Sequence, residues 1–183
     1  MIGGFNGLDI FIFALVIVGI GVGLAQGLLR QVIGLAALYI GAILGAQYYS
    51  VLSGFLRFIL LSAPSKFLNA LSFFIILIAV YTLINLLAND AYQSTKLKIF
   101  PGVDQLGGAL VGLVAPIITL TLALPVLTFA TSESWPFFDQ TRFIVIEMLE
   151  TSRFLSVLEY FKPIILSAIG PWLPAGLPAL FNL

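Results

Sequence analysis

The sequence predicts an all-α integral membrane protein, built as a bundle of four transmembrane helices followed by a C-terminal amphipathic helical tail. Of its 183 residues, 61% are hydrophobic and 9% are charged, whereas soluble domains contain about 25% charged residues. Four uncharged stretches are each long enough to cross a bilayer. We therefore expect residues 1–130 to form the membrane domain and residues 131–183 to form a proline-rich interfacial tail.

The four predicted spans are residues 10–29, 31–56, 67–89 and 105–132, and charged residues separate them. A hydrocarbon layer of about 30 Å requires about 20 helical residues at a rise of 1.5 Å per residue. A cleaved signal peptide is the alternative for the first stretch. Because residues 1–9 carry only Asp9 and no basic residue, we interpret that stretch as a retained helix.

The connections between the spans are short. Ala25, Gln26 and Gly27 leave no room for a loop before Arg30, so the first two helices are expected to form an antiparallel hairpin. Residues 50–66 are mostly apolar and predict an interfacial segment. Residues 89–104 are the most polar connection.

The tail alternates apolar and charged residues at helical spacing in residues 142–150 and 153–162, which predicts two amphipathic helices. Ser152 is the expected cap of the second helix, and Pro163 is expected to end or kink it. Residues 164–183 are apolar but rich in proline and glycine. We expect them to lie on the membrane or the bundle, with Trp135 and Trp172 as interfacial anchors, and a fifth span is the alternative.

Glycines at four-residue spacing predict faces where helices approach closely, because lipid provides no hydrophobic drive for helix association. Packing within one chain is favoured over a dimer interface. Pro116 is expected to kink the fourth span, and Thr119 and Thr121 are expected to satisfy the carbonyl that it frees. The helix-packing glycines are Gly19, Gly23 and Gly27 on the first helix, Gly41 and Gly45 on the second, and Gly108 and Gly112 on the fourth.

Two carboxylates are candidates for specific roles. Asp9 is an ionisable group close to hydrocarbon, which makes it a candidate proton or cation site. We favour first-turn stabilisation of the helix dipole, with Lys66 as a possible neighbour. Asp104 opens the fourth span on the side of Arg30, and we predict that the two form an ion pair.

Asn85 and Asn89 are four residues apart on one face of the third span. Hydrogen bonds to neighbouring helices are the expected role, at about 0.6 to 2 kcal/mol each. A polar lining for a permeant is the alternative.

The composition disfavours several functional classes. The chain has no histidine and no cysteine, which removes serine–histidine dyads and zinc motifs. Asp9 and Asp104 fall at opposite membrane faces in this topology, so they cannot form an aspartyl protease pair. We predict no catalytic residue, no metal site and no cofactor. The 8 basic and 8 acidic residues cancel, so nucleic acid is not an expected partner.

Three short motifs occur in order along the chain: NGLD at residues 6–9, GLLRQVIG at residues 27–34 with Gly23 before it, and PGVDQLGGALVGL at residues 101–113. Together they resemble the colicin V production protein (CvpA) family, over about residues 5–130. Members of that family usually carry basic residues where this chain has Ala25 and Gln26.

The resemblance implies an inner-membrane protein of four spans, linked to colicin V production or export and to envelope maintenance. It also implies an orientation. Basic residues near the membrane divide three against three, but the first turn of the family is usually basic, so Arg30, Lys96 and Lys98 are expected in the cytoplasm. Both termini are then extracytoplasmic.

The favoured function is a scaffold or accessory protein in the lipid bilayer, acting through a membrane-protein partner or as a homo-oligomer. The alternative is a small transporter or channel with a polar path through Asp9, Asn85 and Asn89. The absence of inverted repeats counts against that alternative. An intramembrane enzyme is the last of the three hypotheses.

Overall fold

The computed structural model describes residues 6–92, 101–136, 138–173 and 176–181. Lys96 and Lys98, which were expected on the cytoplasmic face, lie outside these residues. Within them the chain is helical and has no strand, in agreement with the predicted class. The helices are α1 (Gly7–Gln26), α2 (Leu28–Ile59), α3 (Ser65–Tyr92), α4 (Pro101–Thr131), α5 (Asp139–Thr151) and α6 (Arg153–Ile169), followed by a 3-10 turn at Gly170–Trp172.

Five helical segments of the described residues are long and apolar enough to cross a membrane, so the chain suits a multi-pass membrane protein. The predicted number of four spans is not confirmed. The fifth candidate is Arg153–Trp172, and it includes Pro163, which was expected to end or kink the second tail helix. The helix does not end at Pro163, because α6 continues to Ile169, and the alternative of a kink stays a prediction. Pro163 removes one backbone donor, and the apolar residues after it still pack against the bundle.

The helices pack as two close pairs, α1 with α4 and α2 with α3. Both pairs are antiparallel, because Gly19 faces Gly112 while Gly23 faces Gly108, and Gly41 faces Leu77 while Gly45 faces Phe73. The turn at Gly27 is a single residue, as tight as predicted. The helices that it joins nevertheless share few contacts, so the predicted α1–α2 hairpin contributes little to the packing.

Two apolar cores meet on α4. One lies between α2, α3, α4 and the end of the chain and contains Phe73, Val126, Ile169 and Phe181. The other lies between α1, α4, α5 and α6 and consists of Ile12, Leu120, Leu124, Leu149 and Leu158. Residues of the tail therefore belong to both cores, and the boundary predicted at residue 130 falls one residue before the end of α4.

The end of α6 is fixed to the middle of α2. The Tyr39 hydroxyl donates to the carbonyl oxygen of Ala168 at 2.6 Å, and the Gln47 side-chain amide donates to the carbonyl oxygen of Trp172 at 2.7 Å. The ring of Phe181 then packs edge-on against Phe73, with centroids 5.7 Å apart. The tail thus crosses the bundle from α1 to the α2–α3 pair.

Candidate functional site

Asp9 closes the first turn of α1. Its backbone amide donates to the Asn6 side-chain oxygen at 2.8 Å, and its carboxylate accepts from the Asn6 backbone amide at 3.1 Å. This reciprocal arrangement is a capping box, which satisfies backbone donors that a helix start leaves unpaired. The carboxylate is also favourably placed at the positive end of the helix dipole.

The same carboxylate also serves a second helix. Its Oδ1 atom accepts from the Ser152 hydroxyl at 2.7 Å and from the backbone amides of Arg153 and Phe154 at 3.1 and 3.3 Å. Asp9 is only 1% exposed. Ser152 is the N-cap residue of α6, as predicted, but its hydroxyl donates to Asp9, and the Asp9 carboxylate accepts from the first amides of that helix in its place.

Asn6 strengthens this contact between the start of α1 and the α5–α6 junction. Its side-chain amide donates to the carbonyl oxygen of Met148 at 2.7 Å and to the hydroxyl of Thr151 at 2.9 Å. We call the contact of Asn6 and Asp9 with the α5–α6 junction the terminal clasp. Lys66, the possible neighbour of Asp9, instead donates to the Ser132 hydroxyl at 2.8 Å.

Asp104 lies at the start of α2. Its Oδ1 atom accepts from the backbone amide of Leu28 at 2.9 Å, so α4 supplies the cap that Gly27 lacks. Gly27 has φ of +81°, which favours glycine, and a Cβ there would collide with the Asp104 carboxylate. The residue that donates to this carboxylate, Leu28, lies two positions before Arg30. The ion pair between Asp104 and Arg30 stays a prediction.

Glu133 caps α3, a role that the sequence did not reveal. Its Oε2 atom accepts from the Lys66 backbone amide at 2.7 Å and from the Ser65 hydroxyl at 3.3 Å. Three helices thus receive a carboxylate from a distant part of the chain, namely α2, α3 and α6. No local spacing signals such a cap, because donor and acceptor lie 67 or more residues apart.

The glycines of α1 and α4 bring the two backbones into direct contact. A Cβ at Gly19 would collide with the carbonyl oxygen of Gly112, and a Cβ at Gly23 would collide with that of Gly108. A Cβ at Gly108 or Gly112 would likewise collide with the backbone of α1. The carbonyl of Gly112 is the one that Pro116 leaves without an intrahelical donor. Thr119 and Thr121 were expected to bond it, which is wrong, because they donate to Ala115 and Ile117.

The second glycine pair lies against α3. A Cβ at Gly41 would approach the carbonyl oxygen of Leu77 at 3.0 Å, and one at Gly45 would approach the Phe73 ring at the same distance. These contacts are tight but less severe than those between α1 and α4. The Phe73 ring fills the place that a side chain on α2 would occupy.

Asn85 and Asn89 line a small polar cavity of about 180 Å³ with Gln26, Arg30 and Tyr81. The Asn85 amide donates to the carbonyl oxygen of Tyr81 at 2.7 Å, a bond within α3 rather than to a neighbouring helix. Asp9 lies at the other end of α1, about 25 Å from Gln26 along the helix axis. The structure therefore does not bring the three residues of the predicted permeation path together.

Among the described residues, no group of three or more acidic side chains is placed to hold a metal ion.

The chain matches a family of known proteins. A family model described as "Colicin V production protein" matches residues 8–163, which include α1 except its first residue, α2 to α5 and more than half of α6. The match extends beyond the motifs at residues 6–113 and into the tail. No curated protein and no solved structure matches the chain.

Proposed function

The chain belongs to the colicin V production protein family, and from that premise we propose that it is an inner-membrane scaffold that supports toxin production and envelope maintenance through protein partners. The observation that carries this proposal is an exposed apolar surface at one end of the bundle. We call it the outer patch and define it as Phe58, Ile59, Leu61 and Phe138. Leu61 is 86% exposed and Phe58 is 81% exposed.

The outer patch surrounds a groove of about 470 Å³. Pro64, Phe67 and Trp135 line the groove together with Leu60, and the rings of Phe67 and Trp135 stack edge-on with centroids 5.1 Å apart. Apolar clefts with aromatic walls are typical of surfaces that receive apolar side chains of another protein.

The position of the outer patch favours a protein over lipid tails as its occupant. The register of α2 on α3 places Ser53 opposite Ser65, so residues 54–59 extend about 9 Å past the start of α3. Lys66 and Glu133 lie at that start, and charged groups of this kind favour the headgroup layer. Large apolar side chains beyond that level are outside the hydrocarbon, where a partner that presents apolar residues stabilises them.

A non-enzymatic role is part of the proposal. Asp9, Asp104 and Glu133 are each engaged with backbone amides at helix starts. Such carboxylates stabilise helices and leave little capacity to transfer a proton to a substrate.

Site-specific photo-crosslinking in cells tests the partner. A photoreactive residue at Leu61 or Phe138 is expected to give an adduct larger than the chain's 19.7 kDa. Val103 and Leu106, exposed near the start of α4, are the matched control positions and are expected to give none. An adduct of twice the chain mass identifies a second copy, and equal labelling at all four positions contradicts the assignment of the patch.

A functional assay completes the test. The double variant Leu61→Ala, Phe138→Ala is expected to lower colicin V release at normal protein levels, because it removes the anchoring side chains. The double variant Val103→Ala, Leu106→Ala is expected to leave release unchanged. Normal colicin V release by the first variant would contradict the proposal.

We further propose that both termini are extracytoplasmic. If α6 crossed the membrane, its last turn would lie beside the start of α2, yet Ala168 and Trp172 bond to Tyr39 and Gln47 in the middle of that helix. These bonds support a tail that enters the bundle from the face where α1 begins, reaches the middle of α2 and does not cross to the other face.

Because the chain has no cysteine, single introduced cysteines can test on which side of the membrane the tail lies. Ser134→Cys and Ser156→Cys, both exposed, are expected to react with an impermeant maleimide added to intact spheroplasts, while Gln26→Cys reacts only after lysis. Labelling of Gln26→Cys alone before lysis would reverse the orientation.

A further inference from the structure

A crevice separates α1 from α3. It has a volume of about 360 Å³, with Val18 and Val22 of α1 on one wall, Ile78 and Tyr81 of α3 on the other, and Gly34 and Pro116 at its floor. It exists because α1 packs on α4 while α2 packs on α3, which leaves the α1–α3 position of the bundle unfilled.

The crevice opens sideways. Val18 and Ile78 are each 59% exposed, and both lie within candidate spans. In a bilayer these rims face hydrocarbon, so an acyl chain can enter laterally.

The polar cavity of Gln26, Arg30, Tyr81, Asn85 and Asn89 continues the crevice. The two cavities share Gln26 and Tyr81. The polar cavity lies at the α1–α2 turn, the end of the bundle where Asp104 caps α2. An apolar channel therefore ends in a group of amide and guanidinium donors at the level expected for lipid headgroups.

We propose that this composite site binds one anionic phospholipid. One acyl chain lies in the crevice, and the phosphate accepts hydrogen bonds from the Arg30 guanidinium and from the side-chain amides of Gln26 and Asn85. A planar guanidinium matches the oxygens of a phosphate. The charge of Arg30 favours a lipid with net negative charge over a zwitterionic one, and the crevice favours an amphiphile over a soluble phosphate.

The volumes agree with this assignment. Ligand cavities run from about 300 to 1,000 Å³ and are mostly apolar with a few placed polar groups. The crevice by itself lies within this volume range, at about 360 Å³. The polar cavity adds the placed polar groups. The lipid site goes beyond the proposed scaffold, because the outer patch lies at the other end of the bundle.

Gly34 provides a variant that fills the site. A Cβ at Gly34 would have Tyr81 Oη as its nearest neighbour at 3.6 Å, so the first added carbon fits and a leucine side chain extends into the crevice. Gly21 on α1 has nothing within 4 Å of an added Cβ. Gly21→Leu is therefore the matched control for Gly34→Leu, and Arg57→Gln, on an exposed residue at the far end of α2, is the control for Arg30→Gln.

Native mass spectrometry of the full-length protein, released from nanodiscs of equal palmitoyl-oleoyl phosphatidylglycerol and phosphatidylcholine, tests the site. The wild type is expected to retain one phosphatidylglycerol. Arg30→Gln is expected to weaken that binding about tenfold, the effect of losing one charge-assisted hydrogen bond, and Gly34→Leu is expected to abolish it. Gly21→Leu and Arg57→Gln are expected to bind as the wild type does.

Three outcomes would overturn the proposal. They are equal retention of both lipids by the wild type, unchanged binding by Arg30→Gln, and displacement of phosphatidylglycerol by an excess of glycerol 3-phosphate, which would assign the site to a soluble phosphate. Size-exclusion chromatography checks that each variant is folded. If Gly34→Leu does not fold, Arg30→Gln alone decides. If the wild type retains no phosphatidylglycerol but crosslinks normally at Leu61, the lipid site is refuted and the scaffold proposal stands.

Discussion

The two faces of α1 show how residue size sets the distance between helices. On one face, Gly19 and Gly23 allow α4 to approach until carbonyl oxygens occupy the places of the missing side chains. On the other face, Val18 and Val22 project into a crevice, and α3 stays apart. In lipid, helices associate through packing and polar contacts rather than through the hydrophobic effect. Small residues therefore determine which neighbour a helix selects, and larger ones leave openings for lipid.

The largest effect is expected where a side chain is forced into the close face. Gly23→Leu places its Cβ on the backbone carbonyl of Gly108. A helix backbone cannot move out of the way as the end of a flexible side chain can. We expect a loss of about 3 kcal/mol or more, because overpacking at a rigid contact costs at least 1 to 3 kcal/mol. Thermal unfolding in detergent measures the effect. Gly21→Leu, on an open part of the same helix, is the control, and equal stability of both variants would contradict the close contact.

The terminal clasp is the next contact to break. Asp9→Asn keeps the size of the side chain but removes the negative charge of the carboxylate. That carboxylate accepts hydrogen bonds from Ser152, Arg153 and Phe154. Hydrogen bonds to a charged group contribute about 1.5 to 3 kcal/mol, so we expect a loss of about 2 kcal/mol. Release of the α5–α6 junction would raise its rate of proteolysis. Glu147→Gln, on an exposed residue of α5, should leave both readouts unchanged.

A smaller effect is expected at the caps of α2 and α3. Asp104→Asn and Glu133→Gln weaken one cap each, and caps contribute about 0.5 to 2 kcal/mol. Since Asp104 lies in the first turn of α4 and Glu133 follows the end of α4, the double variant tests whether the two caps act independently. We expect the losses in free energy of unfolding to add within about 0.5 kcal/mol, because the caps lie at opposite ends of the bundle. A large deviation from additivity would show that α4 couples them.

The smallest effect is expected where the tail meets α2. Tyr39→Phe removes one hydroxyl, which donates to the carbonyl oxygen of Ala168. A neutral hydrogen bond contributes about 1 kcal/mol. We expect a small decrease in thermal stability and increased labelling of Ser167→Cys in the Tyr39→Phe background. Tyr48→Phe, on an exposed residue, should change neither measurement.

The glycine pattern and the Asn6–Asp9 pair were readable from the sequence because both act within one helix at fixed spacing. Three-residue and four-residue separations lie on one face, so a glycine stripe or a capping box needs no knowledge of the rest of the fold. The hydrogen bonds between Asn6 and Asp9 have this local spacing but were not predicted. The role of Asp9 in the first turn of α1 was inferred from the helix dipole. Its second role at the start of α6 was not, because the partner is 143 or more residues away.

The continuation of α6 past Pro163 has a different cause. Pro163 was expected to end or kink a tail helix because a proline ring disfavours helix interiors in general. In this chain α6 continues, and the turns after the proline bury Leu166 and Ile169 in the core with Phe73 and Val126. Tertiary packing outweighed a local preference of about 3 kcal/mol. The length of the fifth apolar segment was missed for the same reason.

By itself, the sequence determined the class of the protein, the positions of the apolar helices and the family, because composition, uncharged length and local motifs carry that information. Only the tertiary structure decided which helices pair, where Asp104 and Glu133 cap, and how the tail returns to α2. These features depend on contacts between residues far apart in the chain. Apolar helices of similar composition offer many alternative pairings, and the fit of glycines against particular backbones selects among them.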